Sequence, residues 1–441
     1  MTSILTRALP LLTAALLLVP GLARAIDIQE VTSPSGIEAW LVEDESIPFV
    51  AIEIWFEGGG SLDAPGKRGA TNLMTALLEE GAGDMDAQAF AEATESLATT
   101  FGFSTYRDAV VVTARMLTEN RDAAAHLLRV ALNEPRFDDV AIERVRGQVL
   151  AGIEGDARDP DTIAGQVFSE LAWGDHPYGS SLDGTRESVS ALSRDDLVAA
   201  HDAALARDRV VVGAAGDISA DELGRLIDSI LADLPAEGAP MPSAAEYQLP
   251  PGNTVVEFPS PQSVAIFGHE GIARDDPDFF PAFVLAQVLG GGNFRSRLME
   301  EVRVERGLTY GIYAFLGTAD YGQTISGRFS SSNDLVAEAI DVTRAQWADL
   351  AENGITEEEL EAAKRYLTGA YPLRFDGNGR IAGILAGMQA DEMPVDYIAT
   401  RNDQVEAVTL EDVSRVAARL LRPEALHFVV VGRPEGLEPS N

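Results

Sequence analysis

Along the chain the hydrophobic pattern switches between a strand period and a helix period, and the same succession of switches occurs twice. Alternating apolar and polar residues predict strands at Glu38-Ala-Trp-Leu-Val-Glu43 and Val50-Ala-Ile-Glu-Ile-Trp-Phe56, and again at Ser263-Val-Ala-Ile-Phe-Gly268. In each case a helical stretch follows and runs into glycines, at Glu80-Gly-Ala-Gly83 and at Val288-Leu-Gly-Gly-Gly292. Long helices are predicted over residues 139–155 and 356–368, the second opened by a capping box of Thr356 with Glu359. Each series closes on a short helix opener and an apolar strand: residues 190–197 before 209–217, and 407–413 before 427–433.

One element order repeated over roughly 210 residues indicates an internal duplication. The break falls at residues 235–253, where five prolines and two glycines leave no helical or strand period. The expected fold class is α+β. Two homologous domains, residues 26–234 and 254–441, would each pack an antiparallel sheet with helices and close like a clam shell around a chamber.

Composition narrows the setting. Arg7, an apolar stretch over residues 8–22 and the small-x-small site Ala23-Arg-Ala25 read as a secretory signal cleaved near Ala25. No comparable apolar run occurs later, so no membrane span is expected after its removal. An exported chain without cysteine has neither disulfides nor a lipid-acceptor thiol, which fits a bacterial periplasm. The formal charge is −37, and loss of the two leader arginines takes it to −39. Nucleic acid and anionic membrane surfaces are therefore poor partners. The five histidines, His126, His176, His201, His269 and His427, include no pair three or four residues apart, so no local metal motif is present.

Three fragments carry a family resemblance. Gly58-Gly-Gly-Ser-Leu-Asp63 followed by Gly69-Ala-Thr-Asn-Leu-Met-Thr-Ala76 is similar to the segment around the zinc helix of the pitrilysin/insulinase peptidases. Asp175-His-Pro-Tyr-Gly179 resembles the linker before the last helix of that family's first domain. Val302-Arg-Val-Glu-Arg-Gly-Leu-Thr-Tyr310, with Gly290-Gly-Gly-Asn293 before it, resembles its second-domain signature. Family members carry H-x-x-E-H, in which two histidines on one helix face bind zinc beside a general base. Here those positions are Asn72, Thr75 and Ala76, and the further glutamate ligand falls at Gly152. An amide, a hydroxyl, a methyl and a hydrogen cannot replace them, so the resemblance implies a degenerate site that holds no metal.

The arginine and tyrosine that family members carry seven residues apart are kept, as Arg303 and Tyr310. The resemblance assigns them to substrate carbonyl and oxyanion support, a chemistry suited to a guanidinium fork and a phenol. It implies a subunit with no catalysis of its own, paired with a catalytic relative with an intact H-x-x-E-H, encoded nearby. Zinc would sit in that partner, and the substrates would be peptides. Gly58, Gly59 and Gly60 could form an edge strand that accepts an extended peptide, or an ordinary glycine turn. The alternatives are a pseudo-peptidase that only binds peptides and a structural scaffold. No phosphate loop and no G-x-S-x-G elbow is present, and Asp175-His176 reads as turn chemistry.

Overall fold

The computed structural model describes residues 27–292 and 295–440. The expected signal, residues 1–25, lies outside them. The first series of elements runs β1 (Gln29–Thr32), β2 (Glu38–Glu43), β3 (Phe49–Glu57), α1 (Ala70–Thr75), a short hairpin β4 (Gly81–Ala82) and β5 (Met85–Asp86), and α2 (Ala87–Ser96). It continues with β6 (Thr100–Thr105), β7 (Ala109–Leu117), α3 (Arg121–Asn133), α4 (Asp139–Asp156), α5 (Pro160–Trp173), α6 (Arg186–Ala191), α7 (Arg194–Ala204), β8 (Val210–Gly216) and α8 (Ala220–Leu231). The second series is β9 (Gly252–Glu257), β10 (Gln262–Glu270), α9 (Phe279–Gly290), β11 (Ile312–Ala319) and β12 (Gly322–Ser332). Then come α10 (Val336–Asn353), α11 (Glu357–Ala370), α12 (Asn378–Ala390), α13 (Tyr397–Ala407), α14 (Leu410–Leu420) and β13 (His427–Gly432).

The duplication extends to strand order. One sheet reads β1-β2-β8-β3-β7-β6 and the other β9-β13-β10-β12-β11, so five strands correspond one to one and β1 is extra. The sheets are not purely antiparallel as the alternation suggested. The closing strand of each series returns across its helices and lies parallel to the opening strand, β8 on β2 and β13 on β9. A parallel partner needs a long crossover, and the intervening helices supply it.

Strand alternation sets the first core. Val50, Ile52, Ile54 and Phe56 of β3 point to the face that packs on α1, α3 and α8, while Glu53 and Trp55 point to the other. That other face is covered from outside the series: α12 of the second half lies on β8, β3 and β2. Reciprocally, α5 of the first half lies on β10 and β13, where Ala164, Phe168 and Ala172 bury against Val264, Val429 and Val431. A sheet wrapped on both faces reads as an unbroken apolar strand, as β8 and β13 do. Close approach of α12 needs glycine at 213, since a Cβ there would lie 2.0 Å from the Ala382 carbonyl oxygen. The proline-rich stretch between the sheets carries no helix or strand before Gly252, and the Ala245 amide is bonded to Tyr321 and that of Gln248 to Ala172.

Candidate functional site

β3 ends at Glu57, and Gly58 turns the chain with φ +105° into a single 3-10 turn, Gly59–Leu62. The three glycines are therefore not an edge strand. Their segment is already spent on the β6–β7 turn: the Gly58 amide donates to Asp108 O at 2.6 Å and the Gly60 amide to Tyr106 O at 2.9 Å. A Cβ on Gly59 would meet the Tyr106 carbonyl at 2.3 Å, which is why glycine stands there. With the Gly58 and Gly60 amides paired inside the fold, this segment has no ladder to offer a peptide.

Asp63 then organises the start of α1. It is 8% exposed; its carboxylate accepts the Gly69 amide at 2.8 Å, the Thr71 amide at 2.9 Å and the Thr71 hydroxyl at 2.7 Å. These bonds satisfy donors that a helix start leaves orphaned. The helix lasts only from Ala70 to Thr75, and its bonding then tightens, with Leu77 N–H donating to Met74 O and Leu78 N–H to Thr75 O.

The residues that the resemblance places at metal positions are used for folding. Asn72 Nδ2 donates to Asp183 Oδ1 at 2.7 Å, and Thr75, 2% exposed, accepts from the Thr105 hydroxyl at 2.8 Å. Burial and the nearby charge of Asp156 push the Asp183 carboxyl up. Ala76 is the C-terminal cap of α1, and Gly152 sits exposed on α4 with open space around it. This donor set does not fit zinc, and among the described residues no group of three or more His, Asp or Glu is placed to hold a metal ion. Four of the histidines are committed elsewhere. His269 donates to Glu270 O and accepts from Trp347 Nε1 at 3.0 Å; burial pulls it down to about 4, so it is neutral. His201 bonds Leu132 O, His427 bonds Pro250 O and Thr254, and His176 accepts the Tyr178 amide in a 3-10 turn.

Arg303 and Tyr310 share one turn. Met299–Val304 is π-helical, and the Glu305 amide donates to Glu300 O, five residues back, at 2.9 Å. Single π turns of this kind are frequent at functional sites. Arg303 is half-buried on it, and Gly307 stops it with φ +66°. The chain beyond is pinned on both sides of Tyr310. Ser331 Oγ donates to Leu308 O at 2.6 Å, Thr309 Oγ1 donates to Ser330 O at 2.7 Å, and Ile312 opens β11. Held this way, Tyr310 is 84% exposed, the highest value of any large apolar or aromatic side chain among the described residues.

Two features escaped the sequence reading. The halves are bolted by Tyr178, whose hydroxyl donates to Asp108 Oδ2 at 2.5 Å and accepts the Tyr321 amide at 3.0 Å. Beside it, burial and the charges of Asp108, Asp391 and Glu57 push Asp320 up to about 6. The second feature is the glycine stripe Gly379, Gly383 and Gly387 on α12, which a four-residue spacing could have flagged. It lets the helix approach Glu53, Trp55 and Arg115.

Residues 39–186 match the domain described as Insulinase (Peptidase family M16), and residues 191–367 match the Peptidase M16 inactive domain. A Helicobacter pylori protein named "Non-peptidase homolog YmxG" is 26% identical over 93% of this chain and 94% of its own length. An uncharacterised zinc protease of Mycobacterium leprae is 27% identical over 90% of each chain. The beta subunit of the mitochondrial-processing peptidase of Lentinula edodes is 20% identical over 88% of this chain and 86% of its own. The solved peptidase M16 inactive domain from Pseudomonas fluorescens superposes with a TM-score of 0.86 at 28% identity, covering 94% of this chain and 100% of that one. The chain belongs to the insulinase (M16) family of peptidases as an inactive member.

Proposed function

We propose that this chain is the non-catalytic, substrate-binding subunit of a periplasmic zinc metallopeptidase heterodimer that cleaves peptides. The partner is a family member with an intact H-x-x-E-H motif, encoded nearby, which supplies the zinc and the general base. This chain supplies Arg303 and Tyr310, whose donors suit a peptide carbonyl and the charge that develops on it. The observation that carries the reading is the exposure of Tyr310 on a backbone pinned at Leu308 and Thr309. A phenol contributes little to folding when it stands in solvent, so its rigid presentation argues for a use outside the fold. The likeness to a processing-peptidase subunit, a family in which the work is divided between chains, supports a paired assembly.

The test is hydrolysis of a quenched peptide by each purified subunit and by the mixture, in zinc-containing buffer. Activity is expected only on mixing. Tyr310→Phe should lower the mixture's kcat by about 100-fold, the usual cost of losing one oxyanion donor, and Arg303→Ala should also slow it, while both complexes still assemble on gel filtration. Activity of this chain alone, or an unaffected rate in both variants, refutes the assignment.

A further inference from the structure

A cavity of about 640 Å³ opens beside the contact of α12 with the first sheet. α9, α12, α13 and the 3-10 turn Tyr371–Arg374 contribute to its lining, together with Glu53 and Trp55 of β3. It shares no residue with the Arg303–Tyr310 turn.

Four arginines line it: Arg274, Arg374, Arg380 and Arg401. With 70 acidic residues against 33 basic ones, arginine readily finds a carboxylate in this chain. Arg297 does so with Asp349 and Glu359, and Arg419 with Asp276 and Asp278. Among the described residues, none of the four cavity arginines forms an ion pair.

Arg401 is only 5% exposed, yet its hydrogen bonds go to Leu367 O at 2.8 Å and Asn402 Oδ1 at 2.9 Å. Its guanidinium stacks 4.6 Å from the Tyr371 ring centroid. Arg274 donates to the Tyr397 hydroxyl at 2.8 Å and stacks 4.4 Å from the Phe279 ring. Stacking fixes the planes of both groups and leaves donor edges available. Arg374 and Arg380 are exposed and make no side-chain hydrogen bond among the described residues.

The cavity's acids do not cancel this charge. Glu53 accepts the Trp55 indole N–H at 2.8 Å, and burial pushes both Glu53 and Asp391 up, against the pull of that indole on Glu53 and of Arg274 on Asp391. Two acids against four arginines leave a cationic pocket in a chain of net charge −37. A buried guanidinium without an anion bears a desolvation cost that a bound carboxylate offsets. The remaining lining, with Trp55, Phe279, Phe283 and Phe375, suits an apolar body.

We propose that this cavity binds an apolar carboxylate: a hydrophobic or aromatic group ending in one carboxylate, held by the arginine forks and the aromatic walls. The C-terminal residue of a peptide and a free organic acid both present that chemistry. The site belongs to this chain alone and needs no partner subunit.

Calorimetric titration of the full chain with N-acetyl-phenylalanine, its C-terminal amide, octanoate and a tetrapeptide ending in phenylalanine tests it. The acid should bind at least tenfold tighter than the amide. The double variant Arg374→Gln/Arg380→Gln, both at exposed positions, should weaken acid binding at least fivefold, leave amide binding unchanged and keep the melting temperature. Tightest binding by the tetrapeptide identifies a peptide C-terminus, and tightest binding by octanoate or N-acetyl-phenylalanine identifies a free acid. Equal affinity for acid and amide, no binding of any probe, or full binding by the double variant overturns the proposal.

Discussion

α1 and the Arg303–Tyr310 turn resemble two parts of one peptidase site, yet the fold treats them oppositely. At α1 each position where the resemblance expects a metal-site residue is absorbed by the fold: Asn72 is tied to Asp183, Thr75 is buried against Thr105, and the helix stops at Ala76. At the turn the backbone is equally well anchored, but Tyr310 stands 84% exposed. The first region has been turned over to stability. The second keeps an exposed side chain that stability does not explain, and the proposed function rests on that contrast.

The comparison breaks most visibly if the motif is restored. The triple variant Asn72→His/Thr75→Glu/Ala76→His puts a carboxylate where Thr75 is 2% exposed, and the loss should be about 4 kcal/mol, typical of an uncompensated buried charge. Gly152 still offers no ligand, so the refolded variant should retain no zinc after desalting. Retained zinc with an unshifted melting curve would show that α1 is still a metal helix in all but side chains. Tyr310→Phe, by contrast, should change stability by less than about 0.5 kcal/mol, as exposed substitutions do.

The comparison sharpens when carried to the helices that cross between halves. Gly213→Ala forces a Cβ against the Ala382 carbonyl and should cost about 3 kcal/mol in a urea titration. On the reciprocal helix, a Cβ at Gly165 would have Ile266 at 3.7 Å, an ordinary contact, so Gly165→Ala should stabilise by about 0.5–1 kcal/mol through helix propensity. Equal losses at both positions would mean that the two crossings are packed alike.

A small, pH-dependent effect is expected at the seam. Asp320 is lifted to about 6 from an ordinary 3.8, so the folded chain binds more protons than the unfolded one between those values. Its contribution to stability is present below about pH 4 and is lost as the pH rises through 6. Asp320→Asn should therefore stabilise at pH 7.5 and not at pH 4, by well under about 1 kcal/mol because the residue also meets solvent. An unchanged pH slope in the variant would place Asp320 outside the Asp108, Asp391 and Glu57 cluster.

Much of the fold was legible because each element carries its own signal. Alternation marked β3 and β10, the Thr356–Glu359 box is present at the start of α11, and the apolar runs of β8 and β13 announced strands. At Gly58, Gly59 and Gly60 the sequence leaves the choice open, because glycine permits an edge strand and a tight turn alike. The choice was made by the Tyr106 and Asp108 carbonyls, contributed by a turn almost fifty residues away. The cavity arginines escaped because Arg274, Arg374, Arg380 and Arg401 are separated by up to a hundred residues or more and meet only through the packing of α9, α12 and α13.

By itself the order of residues determined the duplicated α+β plan, the chemical emptiness of positions 72, 75, 76 and 152, and the presence of Arg303 and Tyr310. These depend on side-chain identity and on periods of two to four residues, which are local properties. Tertiary structure decided which helix covers which sheet, which amides the glycine turn satisfies, and which charges gather without partners. Those outcomes depend on contacts between residues far apart in the chain, where shape, burial and the position of a carbonyl select among conformations that the local sequence leaves equally open.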